Sequence, residues 1–483
     1  MKIINILLFA VVSVVSTTAM ADMLSPEQVI QRVLDHYPSI KTAAIEIERA
    51  RQSIKVANSQ LSWQLDAQAG VERGVSALGT GNDTLSAAAS ISRLLDSGSS
   101  LTVNTGLRRD KAETVFSPAI PNPSTSTNFG ISYRQPLEKN TAASSFQEAK
   151  LSANLDLESS IAERDELYDQ LALNIVDLYF SSAILLAQIS NLEKSIERAR
   201  RLQIYIKNKT GLGISEEKDI LQVNAQLDSL LAEKSNLEIA RIQQMIAMNR
   251  LMQRNWDSVI STSYKINSVE ENFESLYAKV KKYSPKLKLA NSRLQLADSA
   301  IRERREDRKN SLDLIWFAGG QNYQGDTLTD SASETELTGG LRLEYQKKFD
   351  KSGLDAKLYQ AQLERGVVLE SRKLLLEDLT YDLSSLLAEL KANRASLSAY
   401  EKSLKSETIK VEEAMQRYKS GRIDTDVLIG FEDQLSRATF SFELQKISLA
   451  QRQYKLKILL GNVWDKVKRP MHESFLTDPE VVD

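Results

Sequence analysis

The chain has 483 residues, of which 26% are Asp, Glu, Lys or Arg, in near balance at 62 basic against 64 acidic. That balance leaves no electrostatic footprint for nucleic acid. There is no cysteine, and the only histidines are His36 and His472. Thiol chemistry, disulfides, Cys/His metal sites and the commonest general base are thereby removed, as is a lipid on an N-terminal cysteine. No constellation points to catalysis, a cofactor or a metal, and the chain reads as a non-enzyme.

The first 21 residues have the three parts of a secretory signal: Lys2, an apolar run from Ile3 to Val15, and Ala19-Met20-Ala21 as a cleavage site. No later segment approaches ~18 unbroken apolar residues, so no membrane-crossing helix is expected after it. Ser25-Pro26-Glu27 then starts a helix, with Ser as cap and Pro in the first turn. Tyr37-Pro38 interrupts it, and a second helix runs from Ser39 towards Gln60. This unit recurs 247 positions later: Val33, Pro38, Ile40, Lys41, Ala50 and Ile54 answer to Val280, Pro285, Leu287, Lys288, Ala297 and Ile301. The chain is two copies of one unit.

Past each pair of short helices the period changes from 3.6 to 2. Leu65, Ala67, Ala69 and Val71 alternate with polar residues, as do Leu85 to Ile91, Leu101 to Leu107, and Phe129, Ile131 and Tyr133. The second copy has strands through Leu312 to Phe317 and through Leu341, Leu343 and Tyr345. One face is apolar and the other polar, which fits a small sandwich or a membrane barrel with its apolar face outward. Six strand signals are too few for a membrane barrel, which needs at least about eight, so closure would take several chains. Three copies would supply 12 or 18 strands, depending on whether the extra pair in the first copy joins the wall.

Two very long helical hairpins follow. The first carries a heptad row at Leu171, Leu178, Leu185, Leu192, Ala199 and Ile206, turns at Gly211-Leu-Gly213 and returns. Its twin reads Leu369, Leu376, Leu383, Leu390, Leu397, Leu404, Val411 and Tyr418, and turns at Ser420-Gly421-Arg422. Gly213, Gln226, Leu227, Leu251 and Trp256 recur 208 positions on as Gly421, Gln434, Leu435, Leu459 and Trp464. A seam held at 3.5 residues over so many turns needs another helix against it. With no proline from 137 to 284 and no glycine from 131 to 210, the first helix predicts a rod of about 90 Å at ~1.5 Å per residue. The first copy exceeds the second by 39 residues, between Asp66 and Gly213. The expected organisation is a signal over 1–21 and a first repeat over 22–256, with strands at about 63–137 and a hairpin at about 146–256. A link over 257–272, a second repeat over 273–464 (strands about 311–346, hairpin about 353–464) and a tail over 465–483 complete it.

With these features in order, the chain resembles the TolC-type outer-membrane efflux channel family over nearly all of its length after the signal. The resemblance rests on the duplicated Pro38 and Pro285 units, Gln135-Pro136-Leu137 at a strand end, and Phe349-Asp350-Lys-Ser-Gly353 ahead of the second long helix. It rests equally on the glycine-containing tips followed by Asp219-Ile220-Leu221-Gln222 and Asp426-Val427-Leu428. It implies a mainly α-helical fold with a β-barrel part: a homotrimer whose strands form a barrel in outer-membrane lipid and whose long hairpins form a hollow α-helical tube across the periplasm. Its implied partners are a periplasmic adaptor protein and an inner-membrane transporter, for efflux or type I secretion, and the absence of cysteine matches the unlipidated branch. The resemblance also places a periplasmic gate at Asp426, with Arg422 and Tyr418 just before it, and adaptor docking at the hairpin tips around Gly211, Gly213 and Gly421. An ordinary helix-start carboxylate stays open as the alternative for Asp426. This chain has Ile429 where the family's best-known member carries a second acid, and its turn from Gly421 to Asp426 is one residue shorter. The rival class is a secreted coiled-coil structural protein or adhesin without a pore.

Overall fold

Ser25 caps the first helix, accepting from the Gln28 amide while the Gln28 side chain accepts from the Ser25 amide. In the computed structural model, which describes residues 22–75, 81–114, 121–211, 216–266, 272–327 and 330–468, the chain divides into two units. Residues 1–21, where a signal is expected, Gly213, His472 and most of the tail lie outside the described residues.

One unit, formed by residues up to Thr42, Arg164–Ser284 and Glu377 onward, is helical. A three-residue strand β1 (Asp22–Leu24) leads into α1 (Pro26–His36), and Pro38 opens α2 (Pro38–Ser59). Tyr37 is held extended before that proline, as sterics demand. Most of this unit is the long helices, from Arg164 and Glu377 onward, and their returns. These are α3 (Ser144–Gly211) with α4 (Glu217–Leu251), and α7 (Ser352–Lys419) with α8 (Thr425–Leu459). The two copies match residue for residue, 68 in each long helix and 35 in each return. The 39-residue excess of the first copy therefore falls wholly before α3, in its strands.

The apolar seams face inward. Along α3, Ile175, Ile189, Leu192, Ile196 and Ile206 are buried; along α7, Leu383, Leu390, Val411 and Tyr418 are. α3 is the one helix among the described residues long and apolar enough to cross a bilayer. Its Tyr168, Ala172, Val176, Tyr179 and Phe180 instead form a core with Val29, Ile30, Val33 and Leu34 of α1 and Ile447, Tyr454 and Ile458 of α8. Both return helices stop before their tryptophans, at the same place in each repeat, with a left-handed residue: Gln253 (φ 52°) and Gly461 (φ 75°). Trp464 then donates to Asp169 and packs on Tyr168, whereas Trp256, for which the repeat predicts packing too, is exposed.

The link carries a strand that the sequence did not announce, β6 (Ile260–Thr262), parallel to β1. The two are pinned by the Tyr179 hydroxyl, which lies 2.7 Å from the Leu24 carbonyl and 2.8 Å from that of Ser263, and accepts from the Ser263 amide. The Asn272-capped α5 (Phe273–Tyr283) completes this unit.

The other unit, Ala43–Glu163 and Pro285–Leu376, holds most of α2, the first parts of α3 and α7, α6 (Pro285–Asp307) and one antiparallel sheet. α6 is clamped to the first turns of α3 by Arg302 on Glu148, and to α7 by Asp298 on Arg365 and Asn291 on Arg372. The Arg302 guanidinium holds the Glu148 carboxyl below its ordinary value despite burial. The sheet comprises β2 (Gln64–Val75), β3 (Gly81–Leu94), β4 (Ser100–Ala112), β5 (Ser124–Pro136), β7 (Ser311–Asp326) and β8 (Ser331–Gln346). They lie side by side in chain order, β2-β3-β4-β5-β7-β8, so β2 and β8 are open edges.

Burial pushes the phenols of Tyr179 and Tyr454 well above the ordinary tyrosine value of about 10, and the Glu27 carboxylate adds to both. A raised folded-state value binds the proton more tightly than the unfolded chain does, so this stability is complete below about pH 10 and is lost as pH rises through the folded value. The thermal midpoint is therefore expected to fall steeply above about pH 10, and Tyr454→Phe to flatten that fall; a flat alkaline profile in both proteins would contradict it.

Candidate functional site

Hydrogen-bonded neighbours in an antiparallel sheet point to the same side, so the register decides what each face shows. The row Leu65–Ile91–Val103–Ile131–Ala318 crosses five strands, and Val71–Leu85, Ala87–Leu107 and Tyr133–Trp316–Leu341 join it on the same face. Among the described residues no element packs over this apolar face: Val71 is 82% exposed and Leu337 76%. No charge interrupts it between Leu65 and Val71, Leu85 and Ile91, or Leu337 and Tyr345; Arg73, Asp83, Arg109, Lys111 and Asp326 mark its far end. Trp63, Tyr133, Trp316 and Tyr345 mark the end where the strands meet the helices. The band spans seven to nine residues per strand, roughly 20–30 Å at 3.3 Å each, near the ~25 Å of a membrane barrel's lipid-facing belt.

The opposite face is mainly polar, although Ile315 and Phe317 of β7 lie on it. Asp66, Glu72, Asp110, Asp313, Glu334, Glu336 and Glu344 share it with Arg108, Arg134 and Arg342. Arg134 bridges Asp313 at 3.0 Å and Glu344 at 3.2 Å, tying β5 to β7 and β8. Seven carboxylates against three guanidiniums make this face negative. Phe129 lies over Gly320, and a side chain at Gly319 would meet the Phe129 carbonyl at 2.5 Å, so those glycines let the strands approach under the ring.

At the other candidate site, the hairpin tips, Leu202, Ile206, Val223, Ala414, Tyr418 and Leu428 form a small core between the two hairpins. Tyr418 is buried and its hydroxyl bonds the Thr425 hydroxyl at 3.0 Å; burial raises its phenol above the ordinary value. Its ring packs 6.0 Å from that of Tyr205, and the Lys209 ammonium sits 5.0 Å from one ring and 5.9 Å from the other. Deeper in, Arg198 pairs with Glu432 and Gln226 donates to Asp433. Arg422 and Asp426 are exposed, and among the described residues neither forms a hydrogen bond or ion pair with Tyr418.

The expected trio of Asp426, Arg422 and Tyr418 therefore splits within the chain: Tyr418 locks the tip internally, while the two charged residues are exposed. Asp426 lies in the first turn of α8, where the helix dipole favours a carboxylate. The Tyr205 and Lys209 contacts went unseen in the sequence; Tyr205 adjoins the seam residue Ile206, and only the crossing of the hairpins brings it to Tyr418. The second turn closes as a Schellman motif, with the Arg422 amide on the Arg417 carbonyl and Gly421 left-handed at φ 69°. Gly211 is the last residue of α3 and has open space around it.

No protein-family model matches the chain, and no curated protein matches its sequence. Solved structures do match. The outer membrane protein VceC from Vibrio cholerae superposes with a TM-score of 0.66 at 15% identity, over 90% of this chain and 96% of VceC. The outer-membrane channel OprN gives 0.66 at 13% identity over 90% and 89%, and the CmeC outer membrane channel of Campylobacter jejuni 0.63 at 14% over 93% and 90%. This chain thus has the fold of outer-membrane channels, and the resemblance to TolC-type proteins holds as fold over nearly its whole described length.

At the tips the two glycines should behave differently. Gly421→Ala forces a side chain into the left-handed region and should cost about 1–2 kcal/mol in chemical denaturation. Gly211→Ala, on a helix, should be neutral or stabilise by up to about 1 kcal/mol. Equal effects would contradict the turn geometry.

Proposed function

We propose that this chain is one protomer of a homotrimeric exit duct in the outer membrane of a Gram-negative bacterium. Its sheets join into a barrel in the lipid and its helical hairpins into a tube through the periplasm. The observation that carries this reading is the six-stranded sheet with an uncovered apolar belt on one face, carboxylates on the other and both edges open. A sandwich would have buried that belt inside the chain, and an adhesin stalk has no use for it.

The duct is passive: an inner-membrane transporter supplies the energy, for efflux of small molecules or type I protein secretion, and a periplasmic adaptor docks at the tips around Gly211, Gly213 and Gly421. The exposed apolar stripes of the long helices, Tyr359, Leu363 and Val367 on α7 and Ile239, Ile242 and Ile246 on α4, suit contacts between copies. Three copies of Asp426 would ring the constricted end and concentrate negative potential there. Arg422 and Asp426, outward on each protomer, suit bonds between tips that break on opening.

In planar bilayers the detergent-extracted protein should conduct, favour cations and be blocked by multivalent cations. Asp426→Ala should weaken that block, and unchanged block would remove Asp426 from the gate. A protein that neither inserts nor conducts would contradict the duct and return the adhesin reading.

A further inference from the structure

The 39 residues by which the first repeat exceeds the second lie in its strands. The second repeat runs from α6 through β7 and β8 to α7; the first runs from α2 through β2, β3, β4 and β5 to α3. Leu65 and Asp66 of β2 match Leu312 and Asp313 of β7, and β5, like β8, hands over to a long helix. The addition is therefore the inner hairpin, β3 with β4.

That hairpin is built into the sheet along its whole length. β3 pairs with β2 from Gln64↔Ser92 to Val75↔Gly81, and β4 with β5 from Ser100↔Arg134 to Asp110↔Ser124. Its turn is anchored as well. Gly98 adopts φ 83°, Ser99 is fully buried, and a Cβ on Gly98 would lie 2.4 Å from the Asn140 carbonyl oxygen. The segment it meets, Asn140 to Ala143, itself holds three non-glycine residues at positive φ. At the other end, Asn122 clamps β4 through both its amide atoms on the Ala112 backbone and bonds Asp326 of β7 through its own amide. The hairpin also keeps the two-faced pattern, with Ala87, Ala89 and Ile91 on the apolar side and Ser86, Ser90 and Asn104 on the polar one. A lid or surface appendage would need neither the register nor the lipid-type face.

We propose that the β3–β4 hairpin is part of the pore wall, so that each protomer gives six strands and the trimer closes an eighteen-stranded barrel. This rests on the duct reading above. Six alternating strands leave β2 and β8 antiparallel, so the β8 edge of one copy meets the β2 edge of the next in the same antiparallel sense as every other pair. Closure also covers the two edges, each exposed along its length, that a lone sheet would offer to aggregation. With strands about 4.8 Å apart and tilted about 40°, eighteen make a wall roughly 36 Å across, against about 24 Å for twelve. Barrels of that strand number leave an aqueous channel.

The absence of cysteine makes the test clean. Single variants Ser90→Cys and Asn104→Cys on the polar face, and Ala89→Cys and Val103→Cys on the apolar face, are reconstituted in vesicles and treated with a membrane-impermeant maleimide. Only the thiolate reacts, and a thiol facing lipid has no water to ionise into. The polar-face positions should therefore label on the order of tenfold faster or more than their apolar-face neighbours. On the water-facing side, Gln68→Cys combined in turn with Glu336→Cys, Thr338→Cys and Arg342→Cys should give, in at least one pair, a reducible ladder up to a trimer. If the protein is a conducting trimer but both faces of the hairpin label alike, the eighteen-stranded wall is overturned while the duct stands. If no trimer forms and nothing conducts, both fall together.

Discussion

In a hydrogen-bonded sheet a side chain shares its face with its neighbours across every strand, so one choice of register commits the whole surface. Here the register Leu65–Ile91–Val103–Ile131–Ala318 gathers most apolar residues of the strands on one side, with Ile315 and Phe317 on the other, and nothing among the described residues covers the belt. Water on that face would cost roughly 25 cal/mol for each Å² left exposed. Lipid removes the cost without a protein partner. It does not satisfy the bare backbone of β2 and β8, because inside a bilayer every amide and carbonyl needs a partner within the protein. The same surface thus asks for two things, a membrane on its face and further strands on its edges, and a ring of copies provides both.

The helices obey a parallel rule with a different period. The heptad rows of α3 and α7 are buried or half-buried, and identical lengths in both repeats bring the two tips together, where Tyr418, Tyr205 and Lys209 lock them. What stays outside on these helices is polar apart from narrow stripes, which suits a wall with water on one side and neighbouring helices on the other. In the duct proposed above, selectivity would follow the charges that face the path; the sheet's polar face and the first turn of α8 both carry carboxylates.

Much of the fold was legible because periodicity is a long-range signal: six alternating runs and two heptad rows each average over many residues. The duplication located the tips, and the 39-residue excess pointed to the extra strands. The misses are local. β1 and β6 are three residues each, too short to alternate, and are held by Tyr179 from a helix far away in sequence. Trp256 and Trp464 are equivalent by repeat, yet only the second has Tyr168 and Asp169 beside it, because packing follows the neighbours and not the repeat. At the tips the resemblance grouped Tyr418 with Arg422 and Asp426, whereas within the chain its hydroxyl bonds Thr425 and its ring meets Tyr205 and Lys209, contacts that no local pattern announces.

The central claim is that an uncovered belt and two open edges make this chain one part of a ring. The most direct measurement is the mass of the purified protein, from Asp22 onward, by sedimentation equilibrium with and without detergent. The account predicts a trimer in detergent and aggregation on its removal. A stable, monodisperse monomer in plain buffer would contradict it.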